Sequence, residues 1–293
     1  MPAGGKSTVR SRRLGAALRR LRLNALLDQE HAAEAVACST AKISRIESGI
    51  VSARVGDVRM LLDLYQVEDE AERKLLEKLA RDSNKRGWWM DFKTDQPIRE
   101  ILGDFLALES DATYIRTWQP LVVPGLLQIA DYTRALTEAS PDAVDGAAAD
   151  LVVKVREARR QAFEERGTRL AAVIWEPALT GRMPDRSVHR EQLTHLVSMA
   201  RRPNVTIQVL PISEWAAARA SPSFVAFSYA RETTPEVVVH DTASNCVILE
   251  DPDVMPSYVH AFDALRSAAL TPSQSVAFIK SVVSSITEEN EES

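Results

Sequence analysis

The segment 39–49, which reads STAKISRIESG, has the pattern of a short helix that opens with a hydroxyl cap, carries Lys42 and Arg45, and ends on a glycine. At about 100° per residue, Ile43 and Ile46 point to one side of the helix and can anchor it to its own domain. The opposite side and its flanks carry short polar, apolar or basic side chains: Thr40, Ala41, Lys42, Ser44 and Arg45. Such a face suits a major groove, where the first turns of a helix reach base edges. The spacing alone fits an ordinary amphipathic helix with a solvated basic face equally well.

Residues on either side of this segment extend the predicted DNA contacts. Gln29 begins the preceding helix, where its side chain and the positive helix end can both face a phosphate. Ser39 is expected to cap the recognition helix, and Gly49 suits the left-handed turn that follows it. The predicted DNA-binding residues are therefore Gln29, Ser39, Thr40, Ala41, Lys42, Ser44, Arg45 and Arg54.

Five short helices are predicted around this segment. Apolar residues recur at helical spacing, and Asp28 and Ser39 are good N-caps. The predicted helices cover 11–25, 29–36, 39–49, 55–65 and 69–81. We therefore expect a compact helical domain over 8–82.

Charge is distributed unevenly along the 293 residues. The first 60 residues contain eleven basic and five acidic residues, a net charge of +6. Since the whole chain carries −5, the remainder carries −11. A basic part joined to an acidic body indicates a polyanion partner for the first part only.

The segment 29–49, QEHAAEAVACSTAKISRIESG, resembles the helix-turn-helix of the Cro/repressor (XRE) family. The matching residues are Gln29, Ala33, Ser39, Ile43, Ser44, Arg45, Ile46, Glu47 and Gly49. The resemblance implies DNA binding and an ion pair between Arg22 and Glu47 that holds the fold. The sequence departs from the family pattern at Ala32 and at Ala37. Ala37 replaces a turn glycine, so it requires either a turn without positive φ or some strain.

A second domain of mixed α/β type is predicted after a linker at 83–96. Helices are expected at 98–108, 125–136, 150–166, 188–201, 255–270 and 273–286, and strands at 170–175, 205–210, 224–229, 237–240 and 246–249. The adjacent Trp88 and Trp89 are expected to dock on this domain. The predicted fold class is thus a five-helix helix-turn-helix domain followed by a mixed-sheet domain with packed helices over 97–286. An acidic disordered tail is expected at 287–293.

Segments of this second part resemble a large actinobacterial group of regulators. They include WW at 88–89, VPGLLQIADYTRAL at 123–136, REARRQ at 156–161 and PNVTIQVLP at 203–211. The resemblance implies a toxin/antitoxin-like regulator, which frequently accompanies a small acidic partner protein. One interpretation is a dimeric transcriptional regulator whose second domain receives a ligand or partner signal. The alternative is an antitoxin-like interaction module that sequesters the partner and binds DNA only to regulate itself.

Other chemistries are less well supported by the sequence. Strand ends bearing Glu176, His240, Asp241, Glu250 and Asp251 could converge on a catalytic cleft, but no hydrolase or dinucleotide motif accompanies them. Gly4–Thr8 lacks the first glycine of a phosphate-binding loop. Together with Arg10, Arg12 and Arg13 it is better interpreted as a flexible basic arm that could follow the DNA backbone, or equally as an unstructured solubilising terminus. His189 and His195 are expected at the surface. We expect no enzyme activity, cofactor, metal or membrane segment, and a cytoplasmic protein that pairs with a second copy to cover two DNA half-sites.

Overall fold

The chain divides into two compact units, residues 1–108 and 109–293. The structure is a computed structural model, and it describes residues 8–83, 96–139, 146–181, 183, 185–219, 221–229, 235–241 and 246–291. The first seven residues, the two tryptophans and nearly all of the predicted linker lie outside these residues. The prediction of a flexible arm was wrong for Arg10, Arg12 and Arg13, which belong to the first helix because Thr8 caps it, and Arg10 is only 8% exposed.

The first unit contains the five predicted helices. They are α1 (Val9–Asn24), α2 (Gln29–Ala35), α3 (Thr40–Glu47), α4 (Val55–Leu64) and α5 (Glu70–Asp82). The predicted caps begin two of them. Asp28 Oδ1 accepts from the amides of Glu30 and His31 at 2.9 and 3.0 Å, and Ser39 Oγ accepts from the amide of Lys42 at 3.2 Å. These bonds satisfy amides that a helix start leaves unpaired.

Apolar residues from all five helices form one core in this unit. Leu14, Leu18, Ile43 and Ile46 are each at most 1% exposed and belong to it. A sixth helix, α6 (Gln96–Asp111), follows and crosses the division between the units. The apolar spacing therefore predicted the core of the helix-turn-helix correctly.

Of the two turns expected for Ala37, the connection between α2 and α3 adopts the strained one, with a positive φ. Ala37 has a φ of +48°, a region where a Cβ is crowded against its own backbone. Gly49, after α3, has a φ of +70°, as its position predicted. Leu26 and Gln66 also have positive φ, so three helix connections of this unit use a left-handed residue that is not glycine.

The second unit is a six-stranded sheet with helices on both faces. Its helices are α7 (Ala130–Glu138), α8 (Gly146–Arg166), α9 (Pro177–Thr180), α10 (Arg186–Met199), α11 (Trp215–Ala218), α12 (Met255–Ala268) and α13 (Pro272–Glu291). Its strands are β1 (Tyr114–Gln119), β2 (Arg169–Trp175), β3 (Val205–Leu210), β4 (Phe224–Ser228), β5 (Val237–Asp241) and β6 (Cys246–Leu249). The order in the sheet is β3-β2-β1-β4-β5-β6.

The sheet is mixed, which confirms the predicted fold class. β1, β2 and β3 run parallel, and β4 is antiparallel to β1. β5 and β6 continue the antiparallel half. Trp118, Phe224 and Phe262 are buried in a core between one face and α12, whereas α13 packs against α10 and β3.

The central strand β1 was not predicted. Its sequence, YIRTWQ, places Arg116 and Thr117 in mid-strand, so it lacks the apolar run that marked the other five. Both side chains are nevertheless buried, at 7% and 3% exposure, and Arg116 lies on the face that α12 covers. A continuous apolar pattern is therefore not required of a central strand whose polar side chains are hydrogen-bonded or stacked on a ring.

The helix predicted at 125–136 is interrupted. A 3₁₀ turn covers Gly125–Leu127, and α7 begins only at Ala130. The break is stabilised by Gln192, whose Oε1 accepts from the amide of Ile129 at 2.9 Å and whose Nε2 donates to the Leu127 carbonyl at 2.8 Å. These side-chain bonds replace the helical ones, and the sequence of the segment alone did not show them.

The predicted disordered tail was wrong over most of its length. The final helix, α13, continues to Glu291, five residues beyond the predicted end at 286. Glutamate favours helix and no glycine or proline follows Ile286, so nothing stops the helix there. No helix in the described part of the chain is long and apolar enough to cross a membrane.

Candidate nucleic-acid interface

A buried ion pair fixes the C-terminal end of α3 to α1. Arg22 Nε and Nη2 donate to the two carboxylate oxygens of Glu47 at 2.7 and 2.9 Å, and Arg22 Nη1 donates to the Leu27 carbonyl at 2.8 Å. The side chains are only 8% and 4% exposed. The hydrogen bonds to Glu47 raise the pKa of Arg22 despite its burial. The geometry agrees with the pair that the Cro/repressor resemblance implied.

Backbone contact between α1 and α3 is close enough to require glycine. A Cβ at Gly15 would lie 2.3 Å from the Ile46 carbonyl oxygen and 2.6 Å from that of Glu47. Ser11 Oγ also donates to the Gly49 carbonyl at 2.7 Å. The recognition helix is thus held on its inner side by packing, an ion pair and a hydrogen bond.

The outer side of α3 is open to solvent. Ser39, Thr40, Ala41, Ser44 and Arg45 are exposed, whereas Ile43 and Ile46 are each 1% exposed. In the described part of the chain, the Arg45 guanidinium makes no hydrogen bond or ion pair. A free guanidinium beside small side chains can donate two hydrogen bonds to a guanine edge or bind a phosphate.

Gln29 and Lys42 are in the predicted places but already have protein partners. Gln29 Nε2 donates to Glu47 Oε2 at 2.9 Å, so the amide is held against the α1–α3 ion pair. Lys42 Nζ lies 3.1 Å from Asp57 Oδ2 on α4. A DNA contact by Lys42 must therefore share or replace the carboxylate. Arg54 is exposed at the N-cap position of α4, where its side chain makes no capping bond.

The basic character of this unit is smaller than the count over 60 residues indicated. Arg20 pairs with Glu72 at 2.7 Å, and Arg59 pairs with Glu77 at 2.7 Å. Both carboxylates come after residue 60, so the charge of the first 60 residues leaves out the acidic partners of Arg20 and Arg59. Residues 1–82 contain fifteen basic and twelve acidic residues, a net charge of only +3. A polyanion that binds at α3 would meet the exposed Arg45 and Arg54, so these side chains matter more than the total net charge of the unit.

Comparison with known families assigns both parts of the chain. Residues 13–76 match a helix-turn-helix domain. Residues 102–281 match DUF5753, described as a domain of unknown function. The chain belongs to the DUF5753 family. No curated protein matches it, and no solved structure does. The helix-turn-helix match supports a DNA-binding regulator and coincides with the surface described above.

The strand-end side chains considered for catalysis are far apart in the DUF5753 domain. Glu176 follows β2, whereas His240 and Asp241 are the last two residues of β5, three strands away, or about 14 Å at the usual strand spacing. Glu250 and Asp251 follow β6, which is antiparallel to β5. They therefore lie beside the start of β5, at the opposite end of the strands from His240 and Asp241. The sheet therefore does not bring these residues together.

Their observed contacts fit structural roles. Glu176 Oε2 accepts from the amide of Ile212 at 2.8 Å. The His240 ring nitrogens lie 2.8 Å from the Ser223 carbonyl and 2.7 Å from the Tyr258 hydroxyl. Both groups thus tie loops or helices to the sheet.

The prediction that His189 lies at the surface was wrong. His189 is 6% exposed, and its Nε2 lies 2.8 Å from the Leu179 carbonyl. Burial lowers its pKa, which favours the neutral ring. His195, half-buried on the same helix, also has a pKa lowered by burial. The predictions for both histidines failed because the sequence gave no sign that α13 and α7 cover α10.

The motif residues of the segments 123–136 and 156–161 form a buried polar network in this domain. Gln128 Nε2 donates to the Val123 carbonyl at 2.7 Å, and its Oε1 accepts from Thr133 and Arg156. Arg159 donates twice to Glu109, at 2.8 and 2.7 Å. Sequence reasoning singled out these motifs without a role for them. The Gln128–Arg156 bond fastens the segment after the 3₁₀ turn to α8, and the Arg159–Glu109 bonds fasten α8 to the end of α6.

Proposed function

We propose that this chain is a sequence-specific transcriptional regulator of the Cro/repressor type that binds double-stranded DNA with α3 in the major groove. One observation carries the proposal. The outer face of α3 is exposed and presents an unpaired Arg45, while its inner face is fixed by the Arg22–Glu47 pair. A rigid helix with a free guanidinium is what direct base reading requires.

The regulator is proposed to act as a homodimer in the cytoplasm. One eight-residue recognition helix contacts too few base pairs for specific binding, and two copies on half-sites about one helical turn apart double that number. The DUF5753 domain is the candidate for dimerisation and for receiving a signal. The resemblance of its motifs to an actinobacterial group of regulators supports this assignment. No catalytic role is proposed for it.

The test is selection of bound sequences from random DNA duplexes by the full-length protein, followed by affinity measurements on the selected site. We expect a palindromic consensus. Arg45→Ala should weaken binding by about 1–3 kcal/mol because a guanidinium contact is lost. Arg81→Ala, at an exposed arginine of α5, is the matched control and should bind as wild type. Failure to enrich any sequence, or equal effects of the two substitutions, would refute the proposal.

A second candidate function is an antitoxin-like interaction module. It is favoured by three exposed apolar residues after parallel strands: Leu121 at 77%, Ile212 at 57% and Trp215 at 58% exposure. Exposed side chains of this size are typical of protein-binding surfaces. Co-expression with a small acidic protein encoded beside it tests this function. A complex that survives Arg45→Ala but is lost in Trp215→Ala would support the module.

A further inference from the structure

Arg116 is an unusual residue at the centre of the second sheet. It lies on β1, on the face that α12 covers, and is only 7% exposed. Its cross-strand neighbours are Ala171 on β2 and Ala226 on β4. One alanine on each side leaves more room beside the guanidinium than larger side chains would.

The buried guanidinium has few partners. Arg116 Nη1 donates to Ser228 Oγ at 3.2 Å, and its Cζ lies 4.2 Å from the ring centroid of Tyr114. Among the described residues, no carboxylate lies within ion-pair distance of it. Within the described part of the chain, the five N–H donors are therefore served by neutral groups only, the Ser228 hydroxyl and the Tyr114 side chain, which hydrogen-bonds the guanidinium as well as offering its ring face.

Two other largely buried arginines among the described residues are satisfied differently. Arg22 and Arg159 each donate twice to a buried carboxylate, Glu47 and Glu109 respectively. The pKa of Arg22 is raised by its partner, whereas burial lowers the pKa of Arg116. Since buried charged groups are normally paired, Arg116 has the surroundings of a cation that awaits an anion.

Two further cations lie at the edge of this position. The Cζ of Arg169 is 4.6 Å from the same Tyr114 ring. Arg266 lies on α12, the helix that covers this face, and its charge adds to burial in lowering the pKa of Arg116. Both residues are exposed, so they can meet a ligand arriving from solvent. Asp263, also on α12, is the acidic residue that acts on Arg116 in the opposite direction. Three guanidinium groups against one carboxylate leave the position positive.

We propose that Arg116, Arg169 and Arg266 form a binding site for an oxyanion, the carboxylate or phosphate group of a small ligand. The planar fork of Arg116 matches such a group in two parallel hydrogen bonds. Tyr114 holds two guanidinium groups on its ring and so fixes their planes. The interpretation of this ligand as the regulatory signal rests on the proposed function, but the binding itself does not.

The experiment measures binding to the full-length protein without DNA. Inorganic phosphate and acetate are titrated separately by calorimetry, in chloride buffers of matched ionic strength. We expect one of the two to bind in the wild type, and Arg169→Ala and Arg116→Met to weaken that binding about tenfold or more. Arg201→Ala, at an exposed arginine of the same unit, is the matched control and should bind as wild type. Arg169 and Arg266 are exposed, so their variants carry the test if Arg116→Met does not fold.

Each outcome decides the proposal. Binding of phosphate alone assigns a phosphorylated ligand, and binding of acetate alone assigns a carboxylate ligand. Binding of neither ion, or equal binding by Arg169→Ala, Arg266→Ala and the wild type, would overturn the site. The Arg45→Ala measurement on DNA is independent, so loss of the oxyanion site and loss of the regulator function can be told apart.

Discussion

At the residue scale, the Arg22–Glu47 pair stabilises the first unit only while both partners are present. The two charges are buried and satisfied by each other, with Gln29 adding a third bond to Glu47. Removal of one charge leaves the other in an apolar core without its partner. The sequence alone suggested this pair through a family resemblance, and nothing in its spacing showed that it would be buried.

Arg22→Met should therefore lower the free energy of unfolding by about 3–5 kcal/mol. Arg20→Met is the matched control, since Arg20 is 62% exposed and pairs with Glu72 at the surface, and it should cost at most about 1 kcal/mol. Urea unfolding followed by helical circular dichroism, with hydrogen exchange of α1 and α3, measures both. Similar losses in the two variants would contradict the assigned role.

Tyr65 gives the first unit a dependence on alkaline pH. Among the residues that the structure describes, its hydroxyl has no hydrogen-bond partner, and burial, followed by the charge of Glu47, raises its pKa to about 12. The unfolded phenol ionises near pH 10. Between about pH 10 and 12 the folded state thus binds more protons than the unfolded state, so stability falls as the pH rises.

Tyr65→Phe should remove this contribution. The variant should lose less stability than wild type between about pH 10 and 12 and match or exceed its stability at pH 7, because a buried unpaired hydroxyl is gone. Urea unfolding at a series of pH values gives both comparisons. Parallel curves for the two proteins would show that the hydroxyl does not titrate in the buried position.

At the element scale, close approach of α1 and α3 positions the recognition helix. Gly15→Ala would normally strengthen a helix, but its methyl group would meet two carbonyl groups of α3. We expect a loss of about 1–3 kcal/mol from this overpacking. Gly56→Ala is the matched control, because a Cβ there meets nothing within 4 Å, and it should be neutral or stabilising. Thermal unfolding of the full chain distinguishes the two, and a shared sign would refute the packing argument.

Elements were predictable wherever apolar spacing and caps coincide. The five helices of the first unit and five strands of the second show this, with Ser39 and Asp28 at helix starts. β1 was missed because Arg116 and Thr117 interrupt its pattern. The break before α7 was missed because its stabilising partner, Gln192, lies 63 residues away from Ile129. Long-range side-chain bonds of this kind leave no local signal.

The candidate interface was predictable to a similar extent. The inward and outward sides of α3 follow from helical geometry alone, and the exposures agree with them. The partners of Lys42 and Gln29 do not follow from helical geometry. Asp57 lies on α4, and Glu47 comes near Gln29 only when the helices pack together. Whether each predicted side chain touches DNA stays a prediction.

At the scale of the whole molecule, internal ion pairs decide how much positive charge the first unit offers to DNA. Asp57→Asn would release Lys42 beside the exposed face of α3. If that face meets DNA, the variant should bind more tightly at low salt, and its logarithmic salt slope should steepen by about one. Glu72→Gln, which releases Arg20 on α1, is the control. Equal steepening in both variants would indicate a general charge effect rather than contact by Lys42.

The position of β1 at the middle of the sheet has a consequence for synthesis of the chain. Thr113 bonds to Ser228, 115 residues later, whereas the pairing of β1 with β2 spans about half that distance. The first unit can fold from local contacts as soon as it leaves the ribosome, but β1 then waits with an open edge until β4 emerges. Pauses in translation between residues 120 and 228 should therefore raise the risk of aggregation, and chaperones would be needed most in that interval.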